Sequence, residues 1–442
     1  MSSRKRFTHK LRDSLRHSFQ PNWRHSLHRA RHGISKSHTT KHNKTKRHTR
    51  KSTKLSKSHT LPSEFIFFGC WNKGICDISD DKNGMSKVFK TIKEKENPDF
   101  YIIAGDNYYP NKKVINEDSE NEQKIKIFNK SDFESGFNCL NELHKPLYVL
   151  FGNHDVEQIR ENEHASELSC ITTRSQIMYM NNHTNKLKFL YKDLYKQIGD
   201  TLILFLNTTY FTEDWLKFSE CNKLLPRYSH LKKTSSYTQL LKKIYKRYAS
   251  LIKHKVKRGV KHVIFTGHDP LWGPKFKDNK DEKDKKDKKD KKDKKDKKDK
   301  KDKKDKKDKK SSAAGSGEGK DKFTPLLEEG ILFMCNLYNL FPDAKKYYLC
   351  ADTHLWHGPS TITINSSELS NDIEITQYIV GTGGADLDKC PKKYTNTFTY
   401  KTDTATTIRY DSANDRCNST HGYLKVKLSN HNDPTFQFKP VS

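Results

Sequence analysis

Phe100-Tyr101-Ile102-Ile103-Ala104-Gly105-Asp106-Asn107-Tyr108-Tyr109 and Pro146-Leu147-Tyr148-Val149-Leu150-Phe151-Gly152-Asn153-His154-Asp155 are built alike. Each is an apolar run that stops at a glycine and a cluster of carboxylate, amide, phenol or imidazole side chains. Short apolar runs rich in β-branched and aromatic residues and bounded by glycine read as buried strands. The glycine lets the chain turn sharply without a Cβ penalty. In open α/β sheets ligands bind in the crevice beyond the strand carboxyl ends, where Asp106, Asn153 and His154 then project.

Outward from these stretches the device repeats. Phe65-Ile66-Phe67-Phe68 runs into Gly69-Cys70-Trp71-Asn72, and Thr201 to Leu206 into Asn207-Thr208-Thr209. His262 to Thr266 delivers Gly267-His268, and Tyr347 to Cys350 delivers Ala351-Asp352-Thr353-His354. Val88, Phe89 and Ile92 within Ser86 to Asn97, and Phe133, Phe137, Leu140 and Leu143 within Asp132 to His144, recur at helical spacing. Strand, helix and strand therefore alternate as in βαβ units, and the fold class is α/β. Ser235 to Arg258 predicts a long basic helix with Leu240, Leu241, Ile244, Tyr245, Tyr248 and Leu251 toward the core. Thr324-Pro325 predicts the start of an apolar helix through Phe341, and Ile373 to Val380 and Gly422 to Leu428 predict two closing strands. The stretch 156–200 is polar and irregular and reads as a loop region with a few helical turns around the mouth of the site.

The basic balance of the chain belongs to two appendages. Residues 1–60 hold 18 Lys and Arg against one acid, and 277–310 hold 21 Lys against 12 acids, out of a formal net charge of +31. Neither segment has the apolar residues to offset ordering entropy. The expected organisation is a disordered basic tail, 1–60, then one domain, 61–442, interrupted by a low-complexity insertion over 275–322. The tail is a candidate for contact with nucleic acid or another anionic surface. No window is apolar enough to span a bilayer and no apolar leader follows the basic start. Nine cysteines without a regular framework fit a reducing compartment. An intracellular location is the expectation.

Taken in order, the strand-end clusters resemble the calcineurin-like metallophosphoesterases and, within them, the purple acid phosphatase branch that includes the tartrate-resistant acid phosphatases. The carrying motifs are GCWN at 69–72, GDNYY at 105–109, GNHD at 152–155, FTGH at 265–268 and ADTH at 351–354, with a GTGG turn at 381–384 and a closing GYLKVKL strand. The resemblance covers about 64–430 apart from the insertion. It implies a four-layer αββα sandwich with a dinuclear site of Fe, Zn or Mn at the strand ends. It also implies hydrolysis of phosphate monoesters by in-line attack of a metal-bridging hydroxide. Position by position, Asp106 would bridge the metals, Cys70, Tyr109 and His354 would serve the first, and Asn153, His268 and Asp352 the second. His154, held by Asp155, would contact the phosphate or protonate the leaving oxygen.

Two positions depart from the family pattern. Cys70 stands where an Asp is expected and Asp352 where a His is expected, with Ala351 in place of Gly. A thiolate shifts preference toward softer ions, and a carboxylate in place of imidazole favours a harder ion at the second position. The alternative is a pseudoenzyme of the same fold, with an impaired metal site, that serves as a binding or structural module.

Overall fold

The computed structural model of the protein describes residues 63–73, 76–79, 83–115, 123–183, 187–189, 195–212, 214–225, 236–275, 322–323, 326–390, 397–401, 406–411, 416–429 and 432–442. The expected basic tail and the Asp-Lys-Lys tract lie outside these residues. The chain divides into two units, Met1–His59 with Ser235–Leu240, and Thr60–Thr234 with Leu241–Ser442. The sheets and the site belong to the second.

In chain order the strands are β1 (Ser63–Phe68), β2 (Phe100–Ala104), β3 (Asn111–Ile115), β4 (Gln123–Ile127), β5 (Leu147–Leu150), β6 (Leu187–Phe189), β7 (Tyr195–Ile198), β8 (Thr201–Phe205) and β9 (His262–Thr266). They continue with β10 (Pro274–Lys275), β11 (Lys322–Phe323), β12 (Lys345–Cys350), β13 (Trp356–Asn365), β14 (Ile373–Val380), β15 (Thr397–Lys401), β16 (Thr407–Asp411), β17 (Arg416–Asn418), β18 (Gly422–Leu428) and β19 (Thr435–Pro440). The helices are α1 (Gly84–Lys95), α2 (Lys130–Asn141), α3 (Ile171–Asn182), α4 (Trp215–Asn222), α5 (Tyr237–Lys255) and α6 (Glu328–Tyr338).

Two mixed sheets carry the fold. The first runs β19-β18-β1-β2-β5-β6, with β1, β2, β5 and β6 parallel and β18 antiparallel to both β1 and β19. The second runs β15-β16-β13-β14-β12-β9-β8-β7, with β17 beside β13. Its centre, β14-β12-β9-β8, is parallel. Strands β2, β5, β8 and β9 are buried along their length, which is why they read as continuous apolar runs rather than alternating ones.

Aromatic rings pack one sheet on the other. Tyr148 stacks on Phe205 at 5.0 Å, and Phe436 and Phe438 of β19 meet Tyr378 at 4.5 Å and Trp356 at 4.8 Å. On the first sheet, Phe89 of α1 packs edge-on to Phe68 at 5.7 Å, and Phe137 of α2 meets Trp71 at 5.8 Å. On the second, Tyr338 of α6 stacks on Phe265 at 3.7 Å, and the Tyr248 hydroxyl of α5 donates to the Phe205 carbonyl. Each fully buried aromatic of this kind stabilises the fold by roughly 1.5–3 kcal/mol. Asparagine caps open α1 and α2: Asn83 accepts from Met85 N, and Asn129 from Ser131 N and Asp132 N.

The structure departs from the sequence reading in three places. The segment 156–200 contains α3 and the strands β6 and β7. The buried face of α3 is Thr172, Thr173, Gln176 and Met180, so it shows no apolar stripe to announce a helix. Helix α6 starts at Glu328, after Leu327, while the expected start at Thr324-Pro325 lies outside the described residues. Finally, six of the nine cysteines are paired, as Cys76–Cys139, Cys170–Cys221 and Cys390–Cys417, leaving Cys70, Cys335 and Cys350 as thiols. The paired residues come from distant positions with no repeating spacing, and the pairing removes the cysteine argument for a reducing compartment. No helix among the described residues is long and apolar enough to cross a membrane.

Candidate metal centre

Five parallel strands end at one point. Gly69-Cys70 follows β1, Gly105-Asp106 follows β2, Gly152-Asn153-His154 follows β5, Gly267-His268 follows β9, and Ala351-Asp352 follows β12. The strand ends lie close because four of the five are followed by glycine. Gly105 has φ +83°, and a Cβ there would meet the Gly152 backbone and the His268 ring, while a Cβ on Gly152 would strike Asp106. Among the described residues, the non-glycine residues in the left-handed region are Cys70 (φ 53°), Asp106 (φ 52°) and Asp352 (φ 46°). Such a backbone costs on the order of 1–3 kcal/mol per residue and persists where the surroundings enforce it, characteristically at functional sites. All three are residues singled out as metal ligands on sequence.

Asp106 is the centre of the cluster, 1% exposed. Its Oδ2 accepts from the Tyr109 hydroxyl at 3.0 Å and lies 4.0 Å from Cys70 Sγ. The same hydroxyl is 3.0 Å from His354 Nε2. Its Oδ1 accepts from His154 N at 3.1 Å and sits 3.3 Å from His268 Nε2. That nitrogen is in turn 3.2 Å from Asn153 Oδ1 and 3.8 Å from Asp352 Oδ1. One carboxylate oxygen thus meets Cys70 and Tyr109, with His354 beyond the Tyr109 hydroxyl, and the other meets His268, with Asn153 and Asp352 beyond its Nε2. The donor atoms of Cys70, Asp106 and His268 all lie within 4.8 Å of one another.

The imidazoles are oriented from behind. His268 Nδ1 meets the Ala104 carbonyl at 2.7 Å and His354 Nδ1 the Asp386 carbonyl at 2.8 Å, which turns His268 Nε2 toward Asp106 and His354 Nε2 toward the Tyr109 hydroxyl. Burial alone would lower the His268 pKa, but the Asp106 charge and hydrogen bond, with Asp269 and Asp352 behind them, lift it to about 10. The same partnership holds the Asp106 carboxyl well below the usual range against its own burial. Burial, and then the Asp106 charge, push the Tyr109 phenol far up. A buried carboxylate of this kind demands a neighbouring cation. The donor set of thiol, phenol, imidazole, amide and carboxylate is one that could hold metal, with Cys70, Asp106 and His268 as the buried candidate group.

His154 stands at the edge of this group, its ring 4.8 Å from that of Tyr109. Asp155 does not hold it. Asp155 is fully buried, and both its oxygens are taken: Oδ1 by Asn107 N and Gln176 Nε2, Oδ2 by Gly152 N and Asn107 Nδ2, at 2.7–3.0 Å. Four donors saturate a carboxylate, so Asp155 fastens the turn after β5 to the loop after β2. The carboxylate facing the His154 ring is Glu157, with Oε1 3.6 Å from Nδ1.

Residues 65–295, more than half of the chain, match the calcineurin-like phosphoesterase family. The chain belongs to this family. No curated protein matches it. Among solved structures, a phosphopantetheinyl hydrolase from Mycobacterium tuberculosis is similar at 9% identity and a TM-score of 0.30, over 73% of this chain and 91% of that one. A likeness so remote carries no argument. As a calcineurin-like phosphoesterase, the protein has a mixed α/β fold with parallel strands in both sheets, and metal-dependent phosphoester hydrolysis is the chemistry that membership suggests.

Sequence reasoning missed the supports of this phosphoesterase site. Asn107 lies inside the GDNYY motif, and its amide oxygen accepts from Trp71 Nε1 at 3.0 Å. Gln176 comes from the helix hidden in the polar stretch. Asp388 Oδ2 accepts from His354 N at 3.0 Å. Thr208 Oγ1 accepts from His268 N and Asp269 N and donates to Asp269 Oδ2. None of these has a spacing that marks it; each becomes visible only when strands distant in sequence are brought together.

Proposed function

We propose that the protein is a phosphoesterase of the purple acid phosphatase type, which hydrolyses phosphate monoesters at a centre of two metal ions drawn from Fe, Zn and Mn. The observation that carries this reading is the division of Asp106, whose two oxygens face two separate donor groups. Tyr109 beside Asp106 and His354 supports the tyrosine-bearing branch, and the packed sheets with helices on both outer sides support the four-layer sandwich. Metals bound there supply Lewis acidity toward the phosphoryl oxygens and an activated water for in-line displacement.

The chain's own residues do the rest. Asp106, Cys70, Tyr109 and His354 would hold one ion, and Asp106, Asn153, His268 and Asp352 the other. Thr208 and Asp155 stiffen the loops that present them. His154, a quarter exposed at the rim, is placed to meet the phosphate and give a proton to the departing oxygen.

The Cys70 and Asp352 positions keep metal-binding atoms pointed at the same centre, which favours an enzyme over a pseudoenzyme. The test is turnover of p-nitrophenyl phosphate by the full chain loaded with Fe, Zn or Mn. Hydrolysis that falls by about 10³-fold in Asp106→Asn supports the proposal. A wild type that takes up metal yet cleaves no phosphate ester would establish the pseudoenzyme reading.

A further inference from the structure

Glu157 belongs to none of the metal motifs, yet it is one of the few acidic side chains sealed into the site wall, 8% exposed. It sits between two cationic groups. Oε1 lies 3.6 Å from His154 Nδ1, and Oε2 accepts from the Lys126 ammonium. Nδ1 of His154 is buried and makes no hydrogen bond, so Oε1 stands in ion-pair range of a nitrogen without a partner, a gap of the kind that tightens when substrate binds.

The arrangement is fixed by backbone bonds. Phe128 N donates to Arg160 O at 2.9 Å and Arg160 N to Lys126 O at 3.2 Å, pairing the end of β4 with the segment after the GNHD turn. The bridge sets Ile127 beside Arg160, so main chain holds the two segments together and the Lys126 and Glu157 side chains meet from them. Burial works against the Glu157 charge, but the His154 and Lys126 contacts outweigh it and bring its pKa down to about 2. Asp155, adjacent to His154 in sequence, is saturated by four other donors and is unable to take this part.

We propose that Glu157 is the positioning residue of the phosphoesterase reaction: it accepts the Nδ1 proton of His154, with Lys126 anchoring its far oxygen, and so aims His154 Nε2 at the phosphate ester. The inference rests on the function proposed above. As the bond from phosphorus to the leaving oxygen breaks, that oxygen keeps the electron pair and takes the Nε2 proton. The ring returns to neutral with Nδ1–H still on Glu157, which stays ionised. A carboxylate behind a working imidazole fixes both its tautomer and its plane.

The experiment compares Glu157→Gln, His154→Ala and the double variant in the full chain, with two readouts. The first is the ring NMR signals of protein labelled with ¹⁵N-histidine. The wild type should show a downfield Nδ1–H resonance, absent in His154→Ala and lost or moved upfield in Glu157→Gln. This readout needs no turnover, so it decides the Glu157 assignment even if no ester is cleaved and the function proposed above fails. The second is kinetics on p-nitrophenyl phosphate and an alkyl phosphate. Glu157→Gln should lower kcat by roughly 10–100-fold, as loss of an outer carboxylate typically does. The loss should be larger on the alkyl ester, whose poor leaving group needs the proton, with metal content unchanged. The double variant should be no slower than His154→Ala alone, because the two act as a unit. Should Glu157→Gln not fold, Glu157→Asp, one methylene shorter, should show the same direction in both readouts. An Nδ1–H resonance indifferent to position 157, or rate losses that multiply in the double variant, overturns the proposal.

Discussion

His268 and His357 are both completely buried in the second sheet, at opposite ends of its chemistry. His268, beyond β9, faces Asp106, Asn153 and Asp352, and its pKa is driven up to about 10. His357, in β13, has Ser360 Oγ 3.4 Å from Nδ1 and the Tyr410 hydroxyl 3.3 Å from Nε2. With hydroxyls about it, burial brings its pKa down to about 4. Identical burial thus yields one ring whose proton affinity is raised by its neighbours and one whose proton affinity is lowered. The strand-end region is built to hold positive charge; the β13–β16 region is built to exclude it.

The sharpest way to break this contrast is to remove the charge that sets it. Asp106→Asn should abolish metal retention and lower hydrolysis by about 10³-fold, the equivalent of several kcal/mol of lost charge stabilisation. Metal analysis beside ester turnover checks it, and a variant that keeps either would mean that Asp106 is not the shared group.

A second effect, about 3 kcal/mol, belongs to His357. Above pH 6.5 its ring is neutral folded and unfolded, and its titration contributes nothing. As pH falls from 6.5 to about 4 the unfolded ring takes a proton that the folded ring refuses, so stability is lost across that window. His357→Gln, which can keep hydrogen bonds to Ser360 and Tyr410, should lose correspondingly less stability over the same range in urea unfolding. Parallel pH curves for the two proteins would dissolve the contrast between the regions.

The smallest effect concerns stored strain. Asp352→Gly relieves a left-handed backbone and removes a carboxylate that faces Asp106 and Asp269 across His268. The metal-free protein should gain about 1 kcal/mol while its metal affinity falls. A variant that loses stability without metal would show that Asp352 serves packing and not the site.

The parts of this molecule that were legible in sequence are those where burial and chemistry share one segment. The runs Phe100–Ala104 and Leu147–Leu150 are strands because every residue faces a packed layer, and the glycine and ligand follow at once in the chain. Cys70, His268 and Asp352 likewise follow apolar strands, Asp352 after alanine rather than glycine. What stayed hidden depends on partners distant in sequence. Helix α3 buries threonine and glutamine, so its periodicity is polar. Glu157 acquires its neighbours only when β4 pairs with the loop after β5. The Asp155 role was implied by the family resemblance, and the structure shows both its oxygens taken by donors other than His154. Cysteine pairing across 63, 51 and 27 residues likewise has no local signature.

The central claim is that the strand ends hold two metal ions joined by Asp106. Its most direct test is elemental analysis of the full wild-type chain and of Asp106→Asn, each equilibrated with Fe, Zn or Mn and freed of loose metal. The histidines of the 1–60 segment are common to both proteins, so the difference between them reports the strand-end site. The account predicts that wild type retains two more ions per chain than Asp106→Asn. Equal metal content in the two proteins would contradict it.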